Sequence, residues 1–197
     1  MSQTSRVVVL VRHGETEWTR SKQHTGRTDI PLDDAGRREG ELLHHRLAAW
    51  PFTRVFVSPL SRARDTAVLA GLGDRAEVRP DLMEWDYGAY EGRIRADILR
   101  ERPEWNLWRD GCPQGETAEQ VGIRADRVLS ELRGVEGDVA IFAHGHFLRV
   151  LGARWIHAPP TFGERLALTT ASVSMLGREH EAAVLWLWND VSHLTPT

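Results

Sequence analysis

The sequence predicts an α/β layered domain with a mostly parallel but mixed central sheet. Three observations predict it. Runs of β-branched and aliphatic residues alternate with helical patterns along the chain. Those runs are unbroken rather than alternating, as in strands covered on both faces. The last two runs are separated by a short turn and read as a hairpin, which makes the sheet mixed.

Val7 to Val11 is the first buried strand. Asp33 and Asp34 can cap a helix running to about Trp50, whose apolar positions Ala35, Leu42, Leu43, Leu47 and Trp50 keep helical spacing. Val55 to Val57 is a second short strand, after which Ser61 caps a helix from Arg62 to about Leu72. Val78 begins a short extended piece leading to Leu82. The stretch from Trp85 to Gly115 is irregular and rich in Trp, Tyr and Gly, with one short helix near Arg95 to Glu101. Thr117 and Gln120 form a capping box, and the helix behind it carries Val121, Ala125, Val128, Leu129 and Leu132 on one face. Val139 to Ala143 is a further buried strand, followed by a helix from Phe147 to Trp155. Ser172 to Leu176 and Ala183 to Trp188 are the closing strands, with a turn around Gly177 to Glu181.

The 197 residues, 41% apolar and 27% charged, suit one domain with a proper core. Twenty-five basic against 28 acidic side chains leave a formal charge of −3. That argues against a polyanion-binding stripe, so neither nucleic acid nor a membrane is an expected partner. Lys22 is the only lysine among those basic residues, and base composition explains the bias toward arginine. A single cysteine, Cys112, excludes an internal disulfide and a Cys-based metal cage. Its lack of an activating neighbour makes it an ordinary loop thiol. The expected location is the cytoplasm, because no signal peptide and no apolar run of membrane-spanning length is visible.

The chemistry lies just after the strands. The first ends in Arg12-His13-Gly14-Glu15-Thr16, the second in Ser58-Pro59 with Arg62 opening the next helix, and the strand from Val139 in His144-Gly145-His146. In such folds ligands sit beyond the carboxyl ends of the parallel strands. Two arginines and two histidines therefore converge on one sheet edge, with Glu84 arriving from the segment after Val78. These residue types suit phosphoryl transfer from a monoester. Arginine forks and a helix N-terminus hold the phosphate oxygens. A neutral imidazole can attack phosphorus, and a carboxyl group can protonate the departing alkoxide.

Val-Arg-His-Gly-Glu-Thr (11–16) resembles the signature of the histidine phosphatase superfamily, which includes the cofactor-dependent phosphoglycerate mutases. Segments 24–32, 58–63, 84–92, 115–117 and 144–146 fit the same family in order, so the similarity spans nearly the whole chain. The resemblance implies a three-layer α/β/α sandwich of the phosphoglycerate mutase-like type. It also implies a single histidine phosphatase domain over 1–197, with an irregular substrate-facing insertion at about 85–116. It makes His13 the nucleophile that becomes phosphorylated. Arg12, Arg62 and His144 become the phosphate pocket, Glu84 the proton donor, and Glu15 the carboxylate that orients the His13 ring. The Gly145 and Thr25-Gly26 backbones border the pocket. Many relatives carry Asn where this chain has Thr19, so Thr19 is a weaker phosphate contact and Thr25 covers that side. Nothing in the resemblance calls for a metal or another cofactor.

The 84–88 and 105–113 segments are closer to small acid phosphatases and sugar-phosphate phosphatases than to the mutases. Few residues follow the last strand, too few for a closing C-terminal lid, and an open pocket admits water. The expected activity is a metal-independent phosphomonoesterase of small phosphorylated metabolites such as sugar phosphates, with inorganic phosphate as product. A phosphoglycerate mutase and a non-catalytic phospho-ligand-binding protein are the alternatives, and a homodimer is left open. Trp105, Trp108, Tyr87 and Arg109 are read either as a substrate-facing wall or as simple packing of a long loop. His146 is read as structural, with Gly145 turning the chain. His44, His45, His157, His180 and His193 are read as solvated. His24 receives the same assignment, though it borders the pocket loop.

Overall fold

The buried runs become the strands of one sheet. In the computed structural model, which describes residues 6–195, these are β1 (Val8–Arg12), β2 (Arg54–Val57), β3 (Ala76–Val78), β4 (Val139–Ala143), β5 (Val173–Glu179) and β6 (Ala182–Asp190). The order is β3-β2-β4-β1-β5-β6. β1 to β4 run parallel, while β5 is antiparallel to both β1 and β6. The carboxyl ends of β1, β2 and β4 therefore open on one edge.

Helices cover both faces. These are α1 (Glu17–Arg20), α2 (Asp34–Leu47), α3 (Ser61–Leu69), α4 (Arg95–Glu101), α5 (Leu107–Asp110), α6 (Ala118–Arg133) and α7 (Gly145–Trp155). The period of two along each strand splits the core. Val8, Leu10, Ile141 and Ala143 pack with Val121, Ala125 and Val128 of α6 and Phe147 and Leu151 of α7. Val9, Val11, Ala140 and Phe142 pack on the other face with Leu43 and Leu47 of α2 and Ala63 and Ala67 of α3. The result is the three-layer α/β/α sandwich with a mixed, mostly parallel sheet.

Several boundaries move, each for a local reason. α2 is capped by the Asp33 carboxylate on Gly36 N–H and stops at Leu47, and Leu42 turns outward. α3 has Leu60, not Ser61, as its N-cap. The Asp29 carboxylate, from a remote loop, accepts instead from the Ser61 N–H and hydroxyl, both at 2.8 Å. The expected extended piece from Val78 to Leu82 is the end of β3 followed by a 3-10 turn over Pro80–Leu82, where Pro80 donates no ladder bond. Within the irregular insertion Asn106 caps the unforeseen α5, its side chain accepting from the N–H groups of Trp108 and Arg109. α7 begins at Gly145 rather than Phe147.

Candidate active site

The loop after β1 holds His13 by both backbone groups. Its N–H donates to the Ala143 carbonyl at 3.0 Å, and its carbonyl accepts from Ala171 N–H at 3.1 Å. Gly14 follows because a Cβ there would fall 2.4 Å from the Gly36 carbonyl oxygen. The ring partner of His13 is the Gly14 carbonyl, 2.7 Å from Nδ1. A carbonyl only accepts, so Nδ1 carries the proton and Nε2 keeps its lone pair. This corrects the role expected of Glu15. Its carboxylate makes no hydrogen bond to the ring, and its N–H is bound to Glu39 at 2.8 Å. Burial, joined by the Arg62 and Arg12 charges, holds the His13 imidazole well below the ordinary histidine range. The ring is thus neutral and nucleophilic at physiological pH.

His144 lies at the end of β4, its ring centroid 5.2 Å from that of His13. Its Nε2 is 2.7 Å from the Ser58 hydroxyl at the end of β2. Burial and the Arg62 charge lower this imidazole too. Arg62, on the first turn of α3, is fully buried. Its terminal nitrogens donate to the carbonyls of Thr28, Thr25 and Gly26, and Arg12 donates to the Leu168 carbonyl. Among the buried polar atoms without a partner are Arg12 Nε, Arg62 Nε and His144 Nδ1. A buried donor without an acceptor costs about 1–3 kcal/mol, and both arginine charges act on His13, so their unpaired Nε–H groups fit a place prepared for an anion.

Glu84 is buried beneath the N-terminus of α7. Its Oε1 accepts from Trp85 N–H and Phe147 N–H, both at 2.8 Å, and its Oε2 from His146 N–H at 3.0 Å. The helix dipole adds to these donors. Arg124 on α6 grips Glu116 with two 2.7 Å bonds and also donates to the carbonyls of Asp81, Met83 and Glu84. It thereby fixes the segment that carries Glu84. The spacing of α6 marked its apolar face and gave no sign of this arginine.

A cavity of about 350 Å³ opens over His13, Arg12 and Glu84, while Arg62 and His144 are fully buried and are not among its lining residues. Arg12, His13, Glu84, Gly145, Thr19, Thr25, Tyr87 and Trp108 line it. A Cβ on Gly145 would stand 3.2 Å from Arg12 Cζ, so a side chain there would push the guanidinium by a few tenths of an ångström. Gly26 does not line the cavity; its carbonyl and N–H serve Arg62 and Glu91. The Thr19 hydroxyl is spent on Thr16, closing the capping box of α1. Arg109 is turned outward, forked on Asp110 at 2.7 and 2.8 Å, and takes no part in the wall. Arg149, Arg95 and Lys22 supply the outer positive charge instead. Arg149 stands 4.7 Å from the centre of the Trp108 ring. Its place one turn after His146 on α7 was the available sequence signal.

Trp105 and Trp108 satisfy both readings, being almost fully buried in the core while also facing the cavity. His24 lines the cavity, which corrects its assignment as solvated; His146 is bonded to Tyr87 and packed on Trp108, as a structural residue is, and lines the cavity as well. Cys112 is buried, and desolvation pushes its thiol up to about 12, as an inert thiol requires. Among the described residues no group of three or more His, Cys, Asp or Glu side chains could hold a metal ion. No helix among them is long and apolar enough to cross a membrane.

A neutral imidazole beneath a cationic anion cradle, with a buried carboxyl group alongside, defines a phosphoryl-transfer site. The sequence profile of the histidine phosphatase superfamily, branch 1, matches residues 8–191, and the chain belongs to that superfamily. It is an enzyme of the phosphoric monoester hydrolase class. It is 40% identical to an acid phosphatase of Mycobacterium tuberculosis, over 96% of this chain and 95% of that one. It is also 40% identical to sedoheptulose 1,7-bisphosphatase of Saccharomyces cerevisiae, over 75% of this chain and 66% of the yeast protein. The solved structure of an M. tuberculosis open reading frame product superposes with a TM-score of 0.89 at 39% identity, covering 93% of this chain and 97% of the other.

Proposed function

We propose that the protein hydrolyses small phosphorylated metabolites of the sugar-phosphate kind through a phosphohistidine on His13, without a metal. The observation that carries this is the ring of His13. Nδ1 is fixed on the Gly14 carbonyl, and Nε2 is the nitrogen left for attack. The His144 ring centroid lies 5.2 Å from that of His13, and Arg12 Nε, Arg62 Nε and His144 Nδ1 have hydrogen-bonding capacity unused. Both relatives at 40% identity are phosphatases by name, and one of them acts on a sugar bisphosphate.

In the first step Nε2 donates its lone pair to phosphorus as the bond to the ester oxygen breaks. Glu84 gives its proton to the departing alkoxide. Oε2, with a single backbone donor, is the oxygen with room for that proton. In the second step the Glu84 carboxylate takes a proton from water as the water oxygen attacks phosphorus. The P–N bond breaks, Nε2 recovers its lone pair and inorganic phosphate leaves. The guanidinium groups hold the equatorial oxygens throughout.

The test is a panel of phosphorylated metabolites with phosphate release as the readout, run with and without EDTA. Steady turnover in EDTA, acid-labile phosphate on wild type and none on His13→Ala are the expected results. Loss of activity in EDTA restored by zinc or magnesium would refute the metal-free mechanism. Incubation with 3-phosphoglycerate and 2,3-bisphosphoglycerate should release phosphate. Isomerised phosphoglycerate in excess over phosphate would make the protein a mutase.

A further inference from the structure

One ring beside the reaction centre has no part in those steps. His146 is the second residue of α7, and its backbone N–H already holds Glu84 Oε2. The side chain is wedged edge-on between Tyr87 and Trp108, with centroids 5.8 and 5.4 Å away, and packs near Trp85 at 6.2 Å. Its Nδ1 lies 2.6 Å from the Tyr87 hydroxyl. Burial, then the Arg149 charge, keeps this imidazole neutral. Burial, then Glu84, keeps the Tyr87 phenol protonated.

The pair then has two protons to place. If Tyr87 O–H donates to Nδ1, the ring proton sits on Nε2. In the reverse arrangement Nδ1–H donates to the phenol oxygen and Nε2 keeps a lone pair; each arrangement leaves one proton of the pair without a protein acceptor among the described residues. In both, Nδ1 is occupied by Tyr87, and Nε2 has no protein partner among the described residues on a side chain that lines the cavity.

We propose that His146, held by Tyr87, is a specificity-determining residue whose Nε2 hydrogen-bonds a hydroxyl on the leaving group, so that phosphomonoesters of polyols are preferred over those of plain alcohols. The proposal rests on the phosphatase function above. The position favours the leaving group over the phosphate. His146 adjoins Glu84, which serves the ester oxygen, while the arginines and His144 surround the transferred group. The Trp108 and Tyr87 rings offer apolar surface to the C–H groups of a polyol. A leaving group without the hydroxyl leaves Nε2 without that partner, and sites built to hydrogen-bond a substrate reject analogues that lack the partner.

The experiment compares sn-glycerol 3-phosphate with n-propyl phosphate, which keeps the three carbons and lacks the hydroxyls. Wild type should favour the glycerol ester in kcat/KM by roughly tenfold or more. In His146→Ala that preference should shrink to within about twofold. His146→Gln, whose amide can donate, should retain part of it. Tyr87→Phe should lose part, because Nδ1 loses the hydroxyl that holds the ring in place. The ratio cancels general damage to the fold. If the His146 variants slow both esters by the same factor, the role is structural and the proposal falls. Equal cleavage of both esters by wild type also overturns it while leaving the phosphatase function intact. A wild type that cleaves neither ester nor p-nitrophenyl phosphate would sink the function and this inference together.

Discussion

Glu84→Gln is nearly isosteric and separates two duties of one side chain. The amide oxygen can keep both 2.8 Å bonds at the Oε1 position, from Trp85 and Phe147. The NH2 group must then stand at the Oε2 position, 3.0 Å from the His146 N–H, donor against donor. One frustrated buried donor costs about 1–3 kcal/mol. For a domain of this size that lowers Tm by roughly 2–12 °C. The kinetic effect depends on the leaving group. An alkoxide needs the proton, so kcat/KM for glycerol phosphate should fall by about 10²–10⁴. p-Nitrophenolate departs without one, and kcat/KM for its ester should fall by less than about tenfold, since that parameter covers only steps through phosphoenzyme formation. Water attack still lacks its base, so phosphohistidine accumulates. A stopped-flow trace should show a burst of p-nitrophenolate equal to the enzyme concentration, followed by a slow steady rate. Equal losses of kcat/KM on the two esters, or no burst, would remove Glu84 from the acid–base role.

Three further outcomes follow from the geometry. His13, His144 and His146 are all held neutral by burial, with folded pKa values below the unfolded value. As pH falls below 6.5 the unfolded chain takes up protons that the folded chain refuses, so stability declines by up to about 4 kcal/mol per pH unit and is flat above about 7.5. Denaturant midpoints at three pH values in phosphate-free buffer measure this, and a midpoint that does not move between pH 7 and 5.5 would contradict it. Gly145→Ala brings a methyl group to 3.2 Å from Arg12 Cζ while improving the first turn of α7. It should leave Tm unchanged or raised and cut kcat/KM roughly tenfold for every substrate by displacing the guanidinium. Arg109→Ala should keep kcat/KM within about twofold, whereas Arg149→Ala, which removes a cavity-lining charge, should raise KM by more than that; the reverse ranking in steady-state kinetics would refute the placement of the two side chains.

The sheet was legible where strands are buried on both faces, because Val8 to Val11 and Val139 to Ala143 leave no polar alternative. α6 was legible from its capping box and apolar spacing. The reacting residues could be read because they follow directly from strand ends. Errors arose where a contact that the sequence pattern does not mark, distant or adjacent, decides local structure. The cap of α3 comes from Asp29, which lies 32 residues before Ser61. α7 starts on a glycine behind a histidine cap, a pair without a helix-start signature. Arg109 reads as a wall residue because it falls in the irregular insertion, yet its immediate neighbour Asp110 ties it down. The ring of His13 was assigned a carboxylate partner when the adjacent peptide carbonyl does the work at shorter reach.

The two ends of the 85–116 insertion are stitched together. Glu116 N–H donates to the Asp86 carbonyl at 2.8 Å, Asp86 N–H to the Glu116 carboxylate at 2.9 Å, and the Trp85 indole to the Glu116 carbonyl at 2.9 Å. What lies between is a segment with a closed neck whose Trp105 and Trp108 share a core cluster with Val8 and Leu10, so its exposed positions, rather than its buried ones, can drift without tugging on the strands that carry the reactive imidazole. Grafting that segment from one phosphatase of this fold to another should transfer appetite for a given metabolite while leaving the chemical steps where they are.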